Sequence, residues 1–542
     1  MLKTIANCFF YLSLILLFEN KLAAQSKEKD APSDIRIAWD YSSLEQLAPQ
    51  GGYPRLLRLS SGQLMAVYEN RKGDIHLIRS ADNGESWSSP EILFSSFIFD
   101  EESADGGSVQ VNAANPELKE LANGTILFVC NYRPRKDNIA PFSIAIKRLD
   151  NNQNWSKTTI LYEGGKMFTD GCWEPSLLEL PGGEVHLYFA NESPYRETQE
   201  QEISVLKSID NGQTWSSPQM ASYRQGHRDG MPVTTLAENK IYLAIEDNKI
   251  GQFKPYIIQT FAQESWQKPI LADSENRWYA LEKKEDDSVY MGAPYLIKLP
   301  QGQFLLSYQT NRNRGHNWEY STMEVAVSNR QAKAFSNLTQ PFPVALNKEA
   351  KWNSLANWDA NTVVALSSSN FKSEKIAPWM IKGYIIPSKV NLKKENDTVK
   401  LFVGAKSEAH LQAVIRRNKR SLLIELQGKQ LIDSSNHAVK TFNLLLHTAN
   451  GTEKIALEPN GHFQTYRKSL GASEKEATAY RYTYSKEREN LNYTFNIPIA
   501  KINRSILLGL TINFINQSGE ITKELLVNMD EDNPNTWIQI EL

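Results

Sequence analysis

Long apolar runs are missing from this chain once its first two dozen residues are passed, so no later segment offers the roughly 20 apolar residues of a membrane-spanning helix. Excess charge is missing too: 60 Lys and Arg stand against 62 Asp and Glu, a net −2. That excludes a polyanion-binding surface driven by bulk charge, and nucleic acid is not an expected partner. The eight histidines lack metal-ligand spacing and no Gly-rich phosphate loop is present, so no metal and no cofactor is expected. Cysteine is scarce at three residues. One of them, Cys8, lies in the leader, and Cys130 with Cys172 permits either one disulfide or two separately buried thiols. Amphipathic helical periodicity is almost absent, which removes the helices that a parallel α/β fold needs between its strands.

Aromatic residues are what the chain does have, with 12 Trp and 22 Tyr among 41% hydrophobic residues, enough for more than one core. Residues 1–24 read as a cleaved signal peptide: Lys3, an apolar run from Cys8 to Phe18, then Leu22-Ala23-Ala24. No cysteine follows the small residues to carry a lipid. A secreted or periplasmic protein is expected, without a membrane span.

A repeat decides the expected architecture. Tyr53-Pro54-Arg55-Leu56, Asn115-Pro116-Glu117-Leu118, Glu174-Pro175-Ser176-Leu177, Met231-Pro232 and Ala293-Pro294-Tyr295-Leu296 each open a strand, a turn and a second apolar strand. Their prolines lie 62, 59, 57 and 62 residues apart, and Trp352 to Ser368 repeats the rhythm without a proline. Ser80-Ala-Asp82-Asn-Gly84-Glu-Ser-Trp87 and Ser208-Ile-Asp210-Asn-Gly212-Gln-Thr-Trp215 recur between these hairpins, with Ser and Asp binding turn backbone and Gly taking positive φ. Six units over 36–388 predict an all-β, six-bladed β-propeller. Alternating strands from 389 to 542 predict a β-sandwich, and Arg416 to Arg420 there reads as a solvated turn.

An antiparallel hairpin returns to the rim it left, so each blade offers two searchable rim positions. Before the inner-strand proline stand Tyr53, Asn115, Glu174, Met231 and Ala293; near the end of the second strand stand Glu69, Asn131, Ala190, Glu246 and Gln309, preceded by Tyr308. Glu174 and Glu246, from consecutive blades, form the expected catalytic pair, with Glu69 a rival. One carboxylate attacks or stabilises an anomeric carbon while a protonated partner donates to the leaving oxygen; a retaining pair is about 5 to 5.5 Å apart and an inverting pair about 6.5 to 9.5 Å. Trp173 offers an apolar wall, and the polar loops carrying Asp170 and Arg228-Asp229 offer sugar hydrogen bonds. Tyr53, Asn115, Asp170, Trp173, Arg228, Asp229, Tyr308 and Gln309 are the expected substrate-binding residues.

These segments carry a resemblance. The Asp-box motifs on a six-fold repeat resemble sialidase-type propellers. Asp170-Gly-Cys-Trp-Glu-Pro175, Arg228-Asp-Gly-Met-Pro-Val233, Ala244-Ile-Glu-Asp247, Gly292-Ala-Pro-Tyr295 and Ser307-Tyr-Gln309 resemble glycoside hydrolase family 93. The resemblance implies an exo-acting, retaining α-1,5-L-arabinanase with Glu174 as nucleophile and Glu246 as acid/base, acting on an oligosaccharide or polysaccharide. A sialidase is the neighbouring reading, but Gly52-Tyr53-Pro54 stands where that family carries the first arginine of its carboxylate clamp. A sugar-binding propeller without catalysis is the competing class. The C-terminal region is similar in outline to carbohydrate-binding modules.

Overall fold

The computed structural model describes residues 33–100, 107–342, 344–392, 398–404, 410–429, 438–448, 451–458, 463–469, 472–475, 481–487, 490–498, 505–515, 521–525 and 537–541. The leader expected over 1–24 lies outside the described residues. Among them the chain is all-β: no α-helix occurs, and the only helical turns are the single 3-10 turns Ser193–Tyr195 and Trp318–Tyr320. No described helix is long and apolar enough to cross a membrane.

Between Ile35 and Pro387 the strands form six sheets, each built on an antiparallel meander; the third gains a short parallel edge strand, Ile270–Leu271, from later in the chain. Their first strands are Gly52–Arg58, Ser108–Glu120, Cys172–Glu179, Asp229–Ala237, Met291–Lys298 and Ala350–Asn357. Each of these packs beside the next, and the sixth packs back on the first, so they line a closed ring. The six units over 36–388 are not each one continuous stretch of chain. Ile35–Gln46 supplies the outer strand of the sixth sheet by pairing with Ala377–Pro387, so the ring is closed by backbone hydrogen bonds between the two ends of this region. Second strands such as Leu64–Glu69, Val185–Asn191 and Phe304–Thr310 are buried almost throughout, because they lie inside a sheet and between neighbouring sheets.

The two Ser-x-Asp turns have the expected structural role. Ser80 Oγ donates to Asp82 Oδ1 at 2.7 Å and accepts the Gly84 N–H at 2.8 Å, with Gly84 at φ 85°. Ser208, Asp210 and Gly212 repeat this at 2.8 and 2.9 Å.

One backbone device recurs in every first strand. Tyr53, Asn115, Glu174, Met231, Ala293 and Trp352 all lie at φ between 48° and 56°, and at each the pairing register slips. These are β-bulges, which bend the strand and re-aim a side chain. Left-handed backbone at a non-glycine residue costs about 1 kcal/mol or more, so the same strain is held at one level around the whole ring.

After residue 388 two further sheets share one apolar core, in which Leu422, Ile424 and Leu426 of one face Phe442, Leu444 and Leu510 of the other. Asn418 N donates to Ser421 O at 2.8 Å, so the basic run caps an exposed hairpin. Cys130 and Cys172 are separate buried thiols.

Candidate active site

A bulged, left-handed residue turns its N–H out of its own ladder, and a buried N–H requires an acceptor. The second strand of the preceding sheet supplies it. Glu69 Oε1 accepts Asn115 N at 2.7 Å, Glu246 Oε2 accepts Ala293 N at 2.7 Å, Gln309 Oε1 accepts Trp352 N at 2.8 Å and Ser368 Oγ accepts Tyr53 N at 2.7 Å. These rim side chains latch one sheet to the next. Of the latches, Glu69 and Glu246 are acids.

Two bare α-carbons seat the Glu246 carboxylate. A Cβ on Gly292 would stand 2.6 Å from Glu246 Oε2 and 2.2 Å from the Tyr290 hydroxyl. A Cβ on Gly230, which pairs with Glu246 across the sheet, would stand 3.0 Å from Oε1 and 2.9 Å from Gln201 Oε1. Neither glycine has positive φ, so both are required for space.

Glu174, on the strand Cys172–Glu179, makes no side-chain hydrogen bond among the described residues and is half-buried, as is Glu246. Burial pushes Glu174 up to about 8, reinforced by the Glu246 charge and opposed by Arg133 and Arg228. Burial pushes Glu246 up to about 7, held down by the Ala293 N–H and by Arg228. The two carboxyls repel one another, so the pair takes up its first proton as a unit, at higher pH than an ordinary carboxyl. Two carboxyls that resist ionising together are equipped for one to act as acid while the other is charged.

Arg228 is part of this group. Its guanidinium pairs with Glu192 Oε1 and donates to Gln199 O at 3.1 Å, and its N–H reaches Asn248 Oδ1 at 2.9 Å. Trp173 is buried against Phe142 and Phe168, ring centroids 4.7 and 4.8 Å away, with the Arg133 guanidinium 4.9 Å from its ring. Glu174, Glu246, Arg228 and Trp173 are thus brought together.

The other expected contacts lie elsewhere. Tyr53 packs with Met231 and Ala293 and stacks on Trp352 at 6.4 Å, an apolar plug across the ring axis. Beneath it Arg55 lies 4.0 Å from the Tyr53 ring and pairs with Glu117 at 3.3 Å, while Tyr295 donates to Glu117 at 3.2 Å. Asn115 is buried on the same axis, its Oδ1 without a hydrogen-bond partner among the described residues. Asp170 holds its own loop, accepting Met167 N at 2.7 Å. Asp229, Tyr308 and Gln309 are sealed from solvent, which corrects their expected contact with substrate. Asp229 is engaged by Arg277 and by Ser222 at 2.8 Å, Tyr308 donates to Glu324 at 2.9 Å, and Gln309 joins Trp352 N to the Tyr290 hydroxyl. They support the site from behind.

The rim search passed over Arg133 and Glu192, each two residues beyond a chosen position, Asn131 and Ala190. Period two puts such residues on the same strand face. No local signal marks Tyr290 or the buried set in which Arg277 joins Asp229 and Asp247, with Arg224 Nε 2.8 Å from Asp247. Among the described residues no cluster of His, Cys, Asp and Glu could hold a metal ion.

Residues 135–252 match the BNR repeat-like domain. No curated protein sequence matches the chain. Arabinanases and sialidases stand among the solved structures that resemble it. A GH93 α-L-arabinofuranosidase of Fusarium graminearum in complex with arabinobiose is 17% identical, with 66% of this chain and 98% of that one covered and a TM-score of 0.45. A Penicillium chrysogenum α-L-arabinanase complexed with arabinobiose is 16% identical over 66% and 98%, TM-score 0.43. A Trypanosoma rangeli sialidase is 9% identical over 91% and 94%, TM-score 0.41.

Proposed function

We propose that this chain is an exported glycoside hydrolase in which a six-bladed β-propeller over 36–388 carries the active site and a β-sandwich over 389–542 follows it. Its substrate is an α-linked, arabinose-containing polysaccharide attacked from a chain end, and hydrolysis proceeds with retention. The observation that carries the reading is the pair Glu174 and Glu246, supplied by consecutive sheets, both held above the ordinary carboxylate range and sharing the field of Arg228.

The charge at this mouth favours a neutral sugar over a sialic acid. A carboxylate clamp needs arginines with unengaged N–H forks. Arg55 is buried against Glu117, Arg224 and Arg277 against Asp247 and Asp229, and Arg228 pairs with Glu192. Arg133 lies in the fields of both Glu69 and Glu174. With Arg133 and Arg228 engaged by Glu69, Glu174 and Glu192, these arginines offer no free fork to a sugar carboxylate.

In the retaining mechanism one carboxylate attacks C1 while the other protonates the departing oxygen and then activates water. The motif resemblance makes Glu174 the nucleophile and Glu246 the acid/base. The exchanged roles are a second reading, because the Ala293 N–H donates to the Glu246 carboxylate and favours its charged form, whereas Glu174 accepts no such bond among the described residues. Aryl glycosides separate the two, because a good leaving group needs no acid. The acid/base variant, Glu→Ala, retains the first step on an aryl arabinoside and with azide yields a glycosyl azide of retained configuration; the nucleophile variant loses the first step, and any azide product it forms is inverted. The class itself is tested by incubating the protein with arabinan, sialosides and other glycans and identifying the product. Arabinobiose release supports the reading, free sialic acid overturns it, and full activity of Glu174→Gln overturns the residue assignment.

A further inference from the structure

Several aromatic side chains of this ring are part-exposed, among them Trp155, Phe168, Phe261, Trp318 and Tyr320, whereas Trp266 and Tyr308 are fully buried. Trp318 is 40% exposed and lies against Tyr290, on a backbone braced by hydrogen bonds on either side. It opens the 3-10 turn Trp318–Tyr320, whose cap Asn317 accepts the Glu319 N–H at 3.0 Å. Ser321 Oγ donates to Trp318 O at 2.6 Å. Arg314 ties the turn down, donating to Tyr320 O at 2.6 Å, Val344 O at 2.9 Å and Lys348 O at 2.8 Å. Buried Lys351 pairs with Glu319 and Glu349 at 2.5 and 2.8 Å and sets its ammonium 4.8 Å from the indole centroid. The part of the indole that neither Tyr290 nor Lys351 covers gains nothing within the fold, and held in place it is a preorganised surface for an apolar ligand face.

The position is specific. The segment 311–321 leaves the second strand of the fifth sheet at the rim where Gln309 latches Trp352 and where Glu246 ends its own strand. The Trp318 ring lies 5.6 Å from that of Tyr290, and the Tyr290 hydroxyl shares the bare Gly292 α-carbon with the Glu246 carboxylate. Tyr290 therefore spans the interval from the acidic pair to the indole.

We propose that Trp318 is a stacking platform for the sugar unit next to the one whose glycosidic bond is cleaved, an inference that rests on the glycosidase reading of the pair. A sugar ring presents C–H bonds on one face, which desolvate against an aromatic surface, and the cation beside the indole leaves its remaining surface to the ligand.

Linear α-1,5-arabino-oligosaccharides of two to six units are the probe. Trp318→Ala should raise KM for the longer oligosaccharides about tenfold, the equivalent of about 1.4 kcal/mol, with kcat changed far less, and Trp318→Phe should restore most of the loss. In the Glu174→Gln background, tryptophan fluorescence should change on titration with the hexamer, and that change should vanish with Trp318→Ala. Thermal melting of both Trp318 variants should match the parent, since the ring is not core. If the wild type cleaves these oligosaccharides and Trp318→Ala leaves KM and the fluorescence change intact, the platform is refuted and the glycosidase reading stands. If the wild type neither cleaves nor binds any of them, the arabinan reading fails and the platform falls with it.

Discussion

Replacing Glu174 with Gln should make the protein more stable, and more so the higher the pH. The unfolded carboxyl titrates near the ordinary 4.5, whereas burial and the Glu246 charge raise it to about 8 in the folded ring. A raised acid means that the folded state keeps a proton the unfolded chain releases, so stability falls as pH climbs from about 4.5 and the loss is complete above about 8. One pKa unit is about 1.4 kcal/mol, so at pH 9 the ionised carboxyl costs on the order of 5 kcal/mol before screening. Glu174 is half-buried, and solvent screening brings the expected gain from Glu174→Gln to on the order of 2–3 kcal/mol at pH 9. At pH 5, about half a unit above the unfolded value, the gain should be below about 1 kcal/mol, because the folded carboxyl is protonated there and ionising the unfolded one so close to its own pKa yields little. Urea denaturation midpoints of the two proteins at pH 5 and pH 9 read the difference directly. A variant less stable than wild type at pH 9, or one with an equal gain at both pH values, would refute the claim that these carboxyls share a desolvated, like-charged site.

Activity should follow a bell against pH, since the pair works with one proton: kcat/KM falls below about 7, where both carboxyls are protonated, and above about 8, where both are charged. A profile flat from pH 5 to 9 would contradict this. Gly292→Ala should reduce kcat/KM on the order of 10²-fold, the effect of displacing a catalytic group by about 1 Å, because a Cβ there meets Tyr290 and Glu246; wild-type kinetics in that variant would rule out the seating of Glu246 described above. Arg277→Met should destabilise by about 3–5 kcal/mol, as buried Asp229 and Asp247 lose their shared partner, and Asp229→Asn added to it should recover part of the loss in a urea titration.

The all-β class and the placing of first strands were legible in the chain because a proline or bulge position recurs about every sixty residues, and period-two alternation follows each one. Glu174 and Glu246 were legible for the same reason, since the repeat itself defines two rim positions per sheet. The limit of that reasoning shows at Gln309 and Glu69. The repeat located them, but their first task is to accept the N–H of a left-handed residue in the next sheet. Asp229 shows it again, where a polar loop residue proved to be sealed beneath Arg277.

What the amino-acid sequence determined by itself is therefore local and periodic: strand, turn, and which side chains fall near each rim. Only the closed ring decided the rest. Phasing the sixth sheet required Ile35–Gln46 to pair with a strand more than 300 residues away, and the proton affinities of Glu174 and Glu246 arise from burial and from charges on other sheets. Desolvation and charge repulsion depend on distance in space, and a local pattern carries no information about that distance until the chain has closed on itself.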